Sequence, residues 1–283
     1  MSVPVPGLLE TVNFDLSGSG INVESDVIGA QIAASIRRGH PQLAQQQVRR
    51  PESVVLLGSG PSLNDDVDEI VRLVHGGAKL VTVNGSYAWA LERNLKPSAQ
   101  VILDARADNA RFLHPAVPGC GYLLASQCHA DVWDAVDGRD NVWIWHPLTK
   151  DSVHAPILDQ FYLGRWAPVQ GGCTVISRAL WLLRMQGYLR FDVFGVDCCW
   201  RGDQHHAFPQ PENASDVAYT VRIEPPAAPE LARTFRCSLW HLKQFEDLMQ
   251  QIQVLGEHFL WRVHGDGLLA YALETMGVVT VEE

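Results

Sequence analysis

The sequence predicts an α/β fold: a Rossmann-like, doubly wound and mostly parallel sheet with helices on both faces. Three observations lead to this prediction. Short apolar runs recur along the chain, segments with helical spacing separate them, and the runs are nearly continuous rather than alternating in polarity. Continuous apolar strands are typical of a parallel sheet that is covered on both faces. Strands that alternate with helices are typical of doubly wound folds.

The regular alternation of elements begins at residue 53. Strands are predicted for "SVVLLG" (53–58), "KLVTVN" (79–84), "AQVILD" (99–104), "GYLLAS" (121–126), "NVWIW" (141–145) and "RFDVFGVD" (190–197). Helices are predicted after the first two strands, over 174–187, over 235–255 and up to Met276. Together these elements form the predicted Rossmann-like domain of residues 51–283.

Two segments fall outside this alternation. Residues 1–50 are predicted to be an N-terminal extension with one helix, for which Ser25 and Asp26 are the expected cap. Residues 201–233 contain "FPQPENAS" and "EPPAAPE" and show little periodicity. A long irregular segment inside a domain is typical of a lid, a binding loop or a disordered stretch.

Composition narrows the class of protein. The chain has 283 residues, 47% of them apolar, so it can bury a large core. Its formal charge is −10, so it would repel a nucleic-acid backbone. We therefore expect no nucleic-acid partner. No signal peptide and no run of about eighteen apolar residues is present, so we expect a cytoplasmic protein without a membrane span.

A glycine-rich loop, "GSGPSLND", follows the first predicted strand. Gly58 and Gly60 permit close backbone approach to a ligand, Pro61 fixes φ, and Ser62 is the expected N-cap of a helix. Free N–H groups at such a helix start attract phosphate. The third glycine of the dinucleotide fingerprint is replaced by Leu63, and the G-K-[ST] of a P-loop is absent. An NAD dehydrogenase and a Walker-type NTPase are therefore not predicted.

Polar or glycine residues also follow other predicted strands. Ligands of open α/β sheets lie beyond the carboxyl ends of the strands, so we expect these residues to line one cleft. Each of them alone is explained equally well as a cap or a loop residue, and the prediction of a nucleotide site rests on their shared location. The predicted nucleotide-binding residues are Gly58, Ser59, Gly60, Pro61, Ser62, Asn84, Gly171, Gly172, Thr174, Asp197 and Trp200.

His205 and His206 are the candidate general bases, because histidine titrates near neutral pH. A surface loop whose histidines have no role is an equal alternative, and His241 is the reserve base. Asp104 is the candidate to bind the acceptor, or Mg²⁺ through water, with a helix N-cap as its alternative. A resident metal is not predicted, because the residues that would hold it lack the spacing of any known zinc motif: Asp197, Asp203 and His206.

Four blocks carry a resemblance to a known family. They are "LLGSGPSLND" (56–65), "VTVNGSYAWALERNLKPSAQVILD" (81–104), "GGCTVISRALWLLRMQGYLRFDVFGVD" (171–197) and "VHGDGLLAYAL" (263–273). In this order they resemble the 6-hydroxymethylpterin diphosphokinase MptE-like family, which also includes the flagellin glycosyltransferases called motility-associated factors. They are more distantly similar to bacterial sialyltransferases that use CMP-sialic acid. In those enzymes the catalytic histidine lies further along the chain, so His205 and His206 depart from their pattern.

The resemblance implies a Rossmann-like domain that binds a nucleotide or nucleotide sugar, a CMP-sugar or ATP, with Mg²⁺ as an optional cofactor. We expect a transferase that moves a sugar from an activated donor to a hydroxyl acceptor. One alternative is an ATP- and Mg²⁺-dependent diphosphokinase acting on a hydroxymethylpterin-like alcohol. Another is a non-catalytic nucleotide-binding accessory protein. The expected partners are the small-molecule donor and acceptor, and oligomerisation stays open.

Overall fold

The computed structural model of this chain describes residues 23–149, 153–210, 217–255, 260–275 and 278–282. The strands in these ranges are β1 (Val54–Leu57), β2 (Lys79–Val83), β3 (Ala99–Ile102), β4 (Gly121–Ala125), β5 (Val142–Pro147), β6 (Pro168–Val169), β7 (Arg190–Phe194), β8 (Tyr219–Glu224), β9 (Arg233–Cys237), β10 (Leu260–Val263) and β11 (Val278–Glu282). The helices are α1 (Ser25–Arg37), α2 (Val67–His75), α3 (Ser86–Glu92), α4 (Ala130–Asp134), α5 (His154–Tyr162), α6 (Val175–Met185), α7 (Leu239–Leu255) and α8 (Leu268–Thr275).

The main sheet of the described ranges is parallel throughout, in the order β10-β7-β1-β2-β3-β4-β5-β6. β1 lies inside the sheet, between β2 and β7, and all four of its residues are buried. Val54 and Leu56 pack into an apolar cluster that includes α6, whereas Val55 and Leu57 pack into a second cluster with α2 and α3. Both faces of the sheet are therefore covered, and the predicted α/β class is confirmed.

The described part of the 201–233 segment is more regular than predicted. β8 and β9 pair antiparallel, and β11 pairs with the other edge of β8. Val221 and Ile223 are buried while the residues between and beside them are exposed, and Phe235 and Cys237 alternate in the same way. This short period-two pattern forms strands beside the proline-rich turns. The predicted helix over 235–255 accordingly begins at Leu239, since Phe235 belongs to β9.

The helix predicted near the N-terminus packs onto the domain. It begins after Glu24, so Ser25 and Asp26 lie within its first turn and do not cap it. Its buried residues Ile28 and Ile32 join a cluster with side chains from the β3 loop and α5. Residues 1–22 lie outside the described ranges, and the domain boundary at residue 50 stays a prediction. No helix in the described ranges is both long and apolar enough to traverse a bilayer.

Candidate functional site

A cavity of about 1110 Å³ opens at the carboxyl ends of the parallel strands. The segments that follow β1, β2, β3, β6 and β7 all contribute to its wall, as expected for the ligand side of an open α/β sheet. The predicted site residues that line it are Gly58, Ser59, Gly60, Asn84, Asp104, Gly171, Gly172, Thr174, Asp197, His205 and His206. Three predicted site residues are not on its wall: Pro61, Ser62 and Trp200. The reserve base His241 also lines the cavity, which we call the cleft.

The glycine loop is shaped by its contact with the end of β7. The N–H of Gly58 donates to the last carbonyl of β7 at 2.8 Å, and the N–H of Gly60 donates to the carbonyl of Gly195 at 2.7 Å. The N–H of Ser62 donates to the carboxylate of Asp197 at 2.8 Å. These three donors were expected to face a phosphate, and in the structure each is already paired within the protein.

Asp197 holds the loop from the side of β7. Its Oδ1 accepts a hydrogen bond from Ser62 Oγ at 2.5 Å, and its Oδ2 accepts from the Ser62 N–H. Gly60, not Ser62, precedes the short 3₁₀ helix Pro61–Asn64, so the predicted N-cap role of Ser62 is wrong. Burial raises the pKa of Asp197, and the two hydrogen bonds from Ser62 oppose that rise.

We expect Asp197→Asn and Asp197→Ala to have opposite effects on stability. Asparagine can keep both contacts with Ser62 if the serine hydroxyl accepts from the new amide, whereas alanine leaves the buried Ser62 N–H unpaired, at about 1–3 kcal/mol. Because the pKa of Asp197 is raised in the folded state, the free energy of unfolding falls as pH rises above the carboxyl's ordinary value of 3.8. The Asp197→Asn variant has no carboxyl at this position, so it does not lose stability with rising pH in this way.

Thermal unfolding at several pH values would check this expectation. Above pH 4 the Asn variant should gain on the unsubstituted protein as pH rises. The Ala variant should unfold at a lower temperature throughout. Equal destabilisation by both substitutions would show that the carboxylate charge itself is needed to hold Ser62.

The histidine pair lies directly over the glycine loop. His206 Nδ1 is 3.0 Å from Ser59 Oγ, and the N–H of Ala207 donates to the Ser59 carbonyl at 2.8 Å. The Phe208 ring packs so closely on Gly85 that a Cβ there would overlap it. The first residues of the predicted lid segment are therefore attached to the loops that follow β1 and β2.

Trp200 packs behind His205. The two ring centroids are 3.9 Å apart, and the guanidinium of Arg236 lies 4.2 Å from the Trp200 ring. The indole is thus occupied by protein side chains, which does not favour the predicted contact of Trp200 with a nucleotide. It supports His205 instead.

His241 closes the histidine group from α7. Its ring is 5.7 Å from that of His205, and its Nδ1 accepts a hydrogen bond from the Ser238 N–H at 3.1 Å. Burial, followed by the proximity of His206 and His205, lowers the pKa of His241 to about 3. The ring is therefore neutral with its proton on Nε2, which makes it a hydrogen-bond donor and a weak base.

Two polar residues line the cleft after β2 and β3. Asn84 adopts a positive φ of 45°, and its buried Oδ1 has no hydrogen-bond partner in the described ranges. A strained polar residue with an unpaired acceptor is typical of a ligand site. Asp104 forms a bidentate ion pair with Arg106, whose Nε donates to Oδ1 at 3.1 Å and whose Nη2 donates to Oδ2 at 2.7 Å. It does not cap the 3₁₀ helix Ala107–Leu113, where Arg106 takes the N-cap position.

The opposite wall is the 171–174 loop at the start of α6. The Cys173 N–H donates to Asp247 Oδ2 at 2.6 Å, and a Cβ on Gly172 would overlap the same carboxylate. Thr174 caps α6 through its side chain. The sequence did not single out Asp247, because a lone acid in a long helix carries no local signal. Further lining residues were also missed, because each is a single polar residue outside any recognisable motif: Asn109, Gln127, His154, Arg178, Lys243 and Gln244.

The alternative metal site is not supported. Asp203 is 98% exposed and pairs with Arg236, while both carboxylate oxygens of Asp197 accept from Ser62. In the described ranges no three His, Cys, Asp or Glu side chains are grouped so as to hold a metal ion.

Comparisons with known proteins agree with this architecture. No match was found among curated proteins. Among solved structures, the chain is similar to the MAf glycosyltransferase from Magnetospirillum magneticum AMB-1, with a TM-score of 0.64 and 16% identity. The match covers 92% of this chain but 40% of that one, so the chain spans less than half of its length, and the likeness shows a shared fold. The model of the 6-hydroxymethylpterin diphosphokinase MptE-like family matches residues 33–203, more than half of the chain. This chain therefore belongs to the MptE-like family.

Proposed function

We propose that the protein is a transferase that moves a sugar from a nucleotide-activated donor to a hydroxyl acceptor. Membership of the MptE-like family supports a transferase. The observation that carries the finer proposal is the convergence, at one sheet edge, of the glycine loop, Asn84, the 171–174 loop and the histidine pair around a cavity of about 1110 Å³. A cleft of this size, with polar side chains among its lining residues, is large enough for a ligand of nucleotide size.

We assign the role of general base in the transfer step to His206. The acceptor oxygen attacks the anomeric carbon of the donor, and the bond from that carbon to the phosphate oxygen breaks. The nucleotide leaves with the electron pair, and the acceptor proton passes to His206 Nε2. The contact of His206 Nδ1 with Ser59 Oγ suits this role when Nδ1 carries the proton, because the Nε2 lone pair is then the basic one. His205, packed on Trp200, supports the geometry.

We assign binding of the nucleotide to Asn84, Ser59 and the 171–174 loop, which also line the cleft. The buried Oδ1 of Asn84 would accept a hydrogen bond from a hydroxyl or amino group of the nucleotide. Ser59 and the 171–174 loop offer further polar contacts. The proposal contains no step through Mg²⁺, because Asp104 is paired with Arg106 and Asp197 with Ser62.

A second candidate is favoured by the family's description, which is that of 6-hydroxymethylpterin diphosphokinase. In that reaction a pterin alcohol oxygen would attack the β-phosphorus of ATP, and AMP would leave with the electron pair of the broken bond. The same base and the same cleft would serve. The two candidates differ in donor, in the expected need for Mg²⁺ and in the released nucleotide.

Thermal unfolding with CMP, CDP, UDP, GDP and ATP, each with and without Mg²⁺, would test the proposal. A bound nucleotide at 100 times its Kd should add about 2.7 kcal/mol to the free energy of unfolding. We expect stabilisation by one of the cytidine, uridine or guanosine nucleotides without Mg²⁺, and none by the matching nucleoside. A response to ATP alone that requires Mg²⁺, with release of AMP, would favour the diphosphokinase. If none of the five nucleotides changes the unfolding temperature, the proposal that the cleft binds a nucleotide is overturned.

A further inference from the structure

Arg178 is a buried charge on the wall of the cleft. It lies in the first turns of α6, is 7% exposed, and lines the same cavity as the 171–174 loop. Burial lowers the pKa of Arg178 to about 10, so the guanidinium keeps its charge at neutral pH. An arginine almost wholly removed from water needs partners for both its charge and its five donors.

The protein satisfies only one side of this guanidinium. Nη1 donates to the carbonyl of Val169 at 2.6 Å, while the buried Nε has no hydrogen-bond partner in the described ranges. Nε and Nη2 form the edge with which arginine grips a carboxylate or phosphate. Arg106 uses this edge on Asp104, at 3.1 Å from Nε and 2.7 Å from Nη2. Arg72 uses it on Glu69, at 2.6 and 2.5 Å.

No carboxylate in the described ranges forms a salt bridge with Arg178. Asp247 is the nearby carboxylate that acts on it electrostatically, but Oδ2 of that group accepts instead from the Cys173 N–H at 2.6 Å. Removing an unpaired charge from water costs several kcal/mol unless another group supplies the missing interactions. Because Arg178 lines the cleft, a ligand can supply them.

We infer that Arg178 is an anion-recognition residue, whose Nε and Nη2 edge binds a carboxylate or phosphate group of a substrate in the cleft. The inference deepens the proposed function and rests on it for the identity of the ligand as a donor or acceptor. Both anions have the planar or forked oxygens that fit this edge. Lysine has the same charge but not the same fork, so it cannot replace arginine fully.

The test uses the full chain and three variants, Arg178→Lys, Arg178→Met and, as a matched control on the same helix, Arg184→Met, which is not on the cleft wall. Pyrophosphate and glucuronate are the anionic probes, and glucose is the neutral control for glucuronate. Binding is measured by calorimetry and by the shift in thermal unfolding. Pyrophosphate carries phosphate groups and glucuronate carries a carboxylate. The probe that binds therefore identifies which of these two anions the site recognises.

We expect one of the two anionic probes to bind the Arg184→Met variant with the same Kd as it binds the unsubstituted protein. Both Arg178 variants should raise its Kd by about 10- to 100-fold, the loss of a charged hydrogen bond. Without probe, Arg178→Met should unfold at the same temperature or higher, because an unpaired buried charge is gone. A purely structural arginine would instead lower that temperature and leave probe binding unchanged in Arg178→Lys, which would overturn the inference, as would the absence of binding by either probe.

Failure of the proposed function gives a different result. If an anionic probe binds through Arg178 but no nucleotide stabilises the protein, the anion site is supported. The proposal of nucleotide-dependent transfer is then overturned. If nucleotides bind equally to the unsubstituted protein and to both Arg178 variants, and neither anionic probe needs Arg178, the transferase proposal stands without this residue.

Discussion

Replacing His206 with alanine is expected to lower kcat for sugar transfer by about 10²- to 10⁴-fold, the usual contribution of a general base. The reason is its position: Nδ1 is held 3.0 Å from Ser59 Oγ and the ring lines the cleft. Donor binding should persist, because the base acts on the acceptor's proton. The measurement is steady-state transfer with the nucleotide donor that the thermal screen identifies, alongside the donor's Kd.

Two further variants control this prediction. His75→Ala removes an exposed histidine at the end of α2, outside the cleft, and should leave kcat unchanged. Ser59→Ala removes the group that holds His206, so it should lower kcat as well, but by less than His206→Ala does. If His206→Ala turns over at the unsubstituted rate, the base assignment is wrong. A loss confined to His205→Ala would move the role to that neighbour.

Gly58→Ala is expected to destabilise the protein by about 3 kcal/mol or more. A Cβ on Gly58 would overlap the backbone carbonyl of Gly195 and lie 2.9 Å from Val196 Cγ2. A carbonyl at the end of a central strand cannot move away as a flexible side chain can. Equilibrium unfolding in urea gives the change in free energy directly.

Two other glycines give this prediction its scale. Gly60→Ala should cost less than Gly58→Ala, since its Cβ would lie 2.6 Å from a carboxylate oxygen of Asp197 and 2.9 Å from the Gly195 carbonyl oxygen, which the Cβ of Gly58→Ala would approach more closely. Gly76→Ala should cost no more than about 1 kcal/mol, because its φ of −73° suits alanine and its Cβ would meet nothing nearer than 3.2 Å. If Gly58→Ala were as stable as Gly76→Ala, the close crossing of the two strand ends would not be a constraint.

The sequence predicted the sheet and the general place of the cleft, because both depend on local patterns. Buried strands such as "VVLL" and the polar residues that follow them are visible in short windows, and parallel strands bring their carboxyl ends to one edge. The requirement for glycine at position 58 was visible as well. Which group approaches it was not: the structure places Gly195 there rather than a ligand phosphate.

What the sequence could not show depends on side-chain contacts between distant segments. The grip of Asp197 on Ser62 joins residues far apart in the chain, so the serine resembled a helix cap. Arg178 was not singled out from the sequence, because its burial comes from the packing of α6 on the sheet. β8 and β9 are too short, beside several prolines, for their alternation to stand out.

The position of β1 between β2 and β7 has a consequence for biosynthesis. Leu56 pairs with Val81 on one side and with Val193 on the other, so one neighbour is available early during translation and the other much later. Until β7 leaves the ribosome, one edge of β1 and the apolar cluster beneath it have no partner. A nascent chain truncated before Arg190 should therefore be a substrate for chaperones, and the cleft can form only when synthesis of the domain is nearly complete.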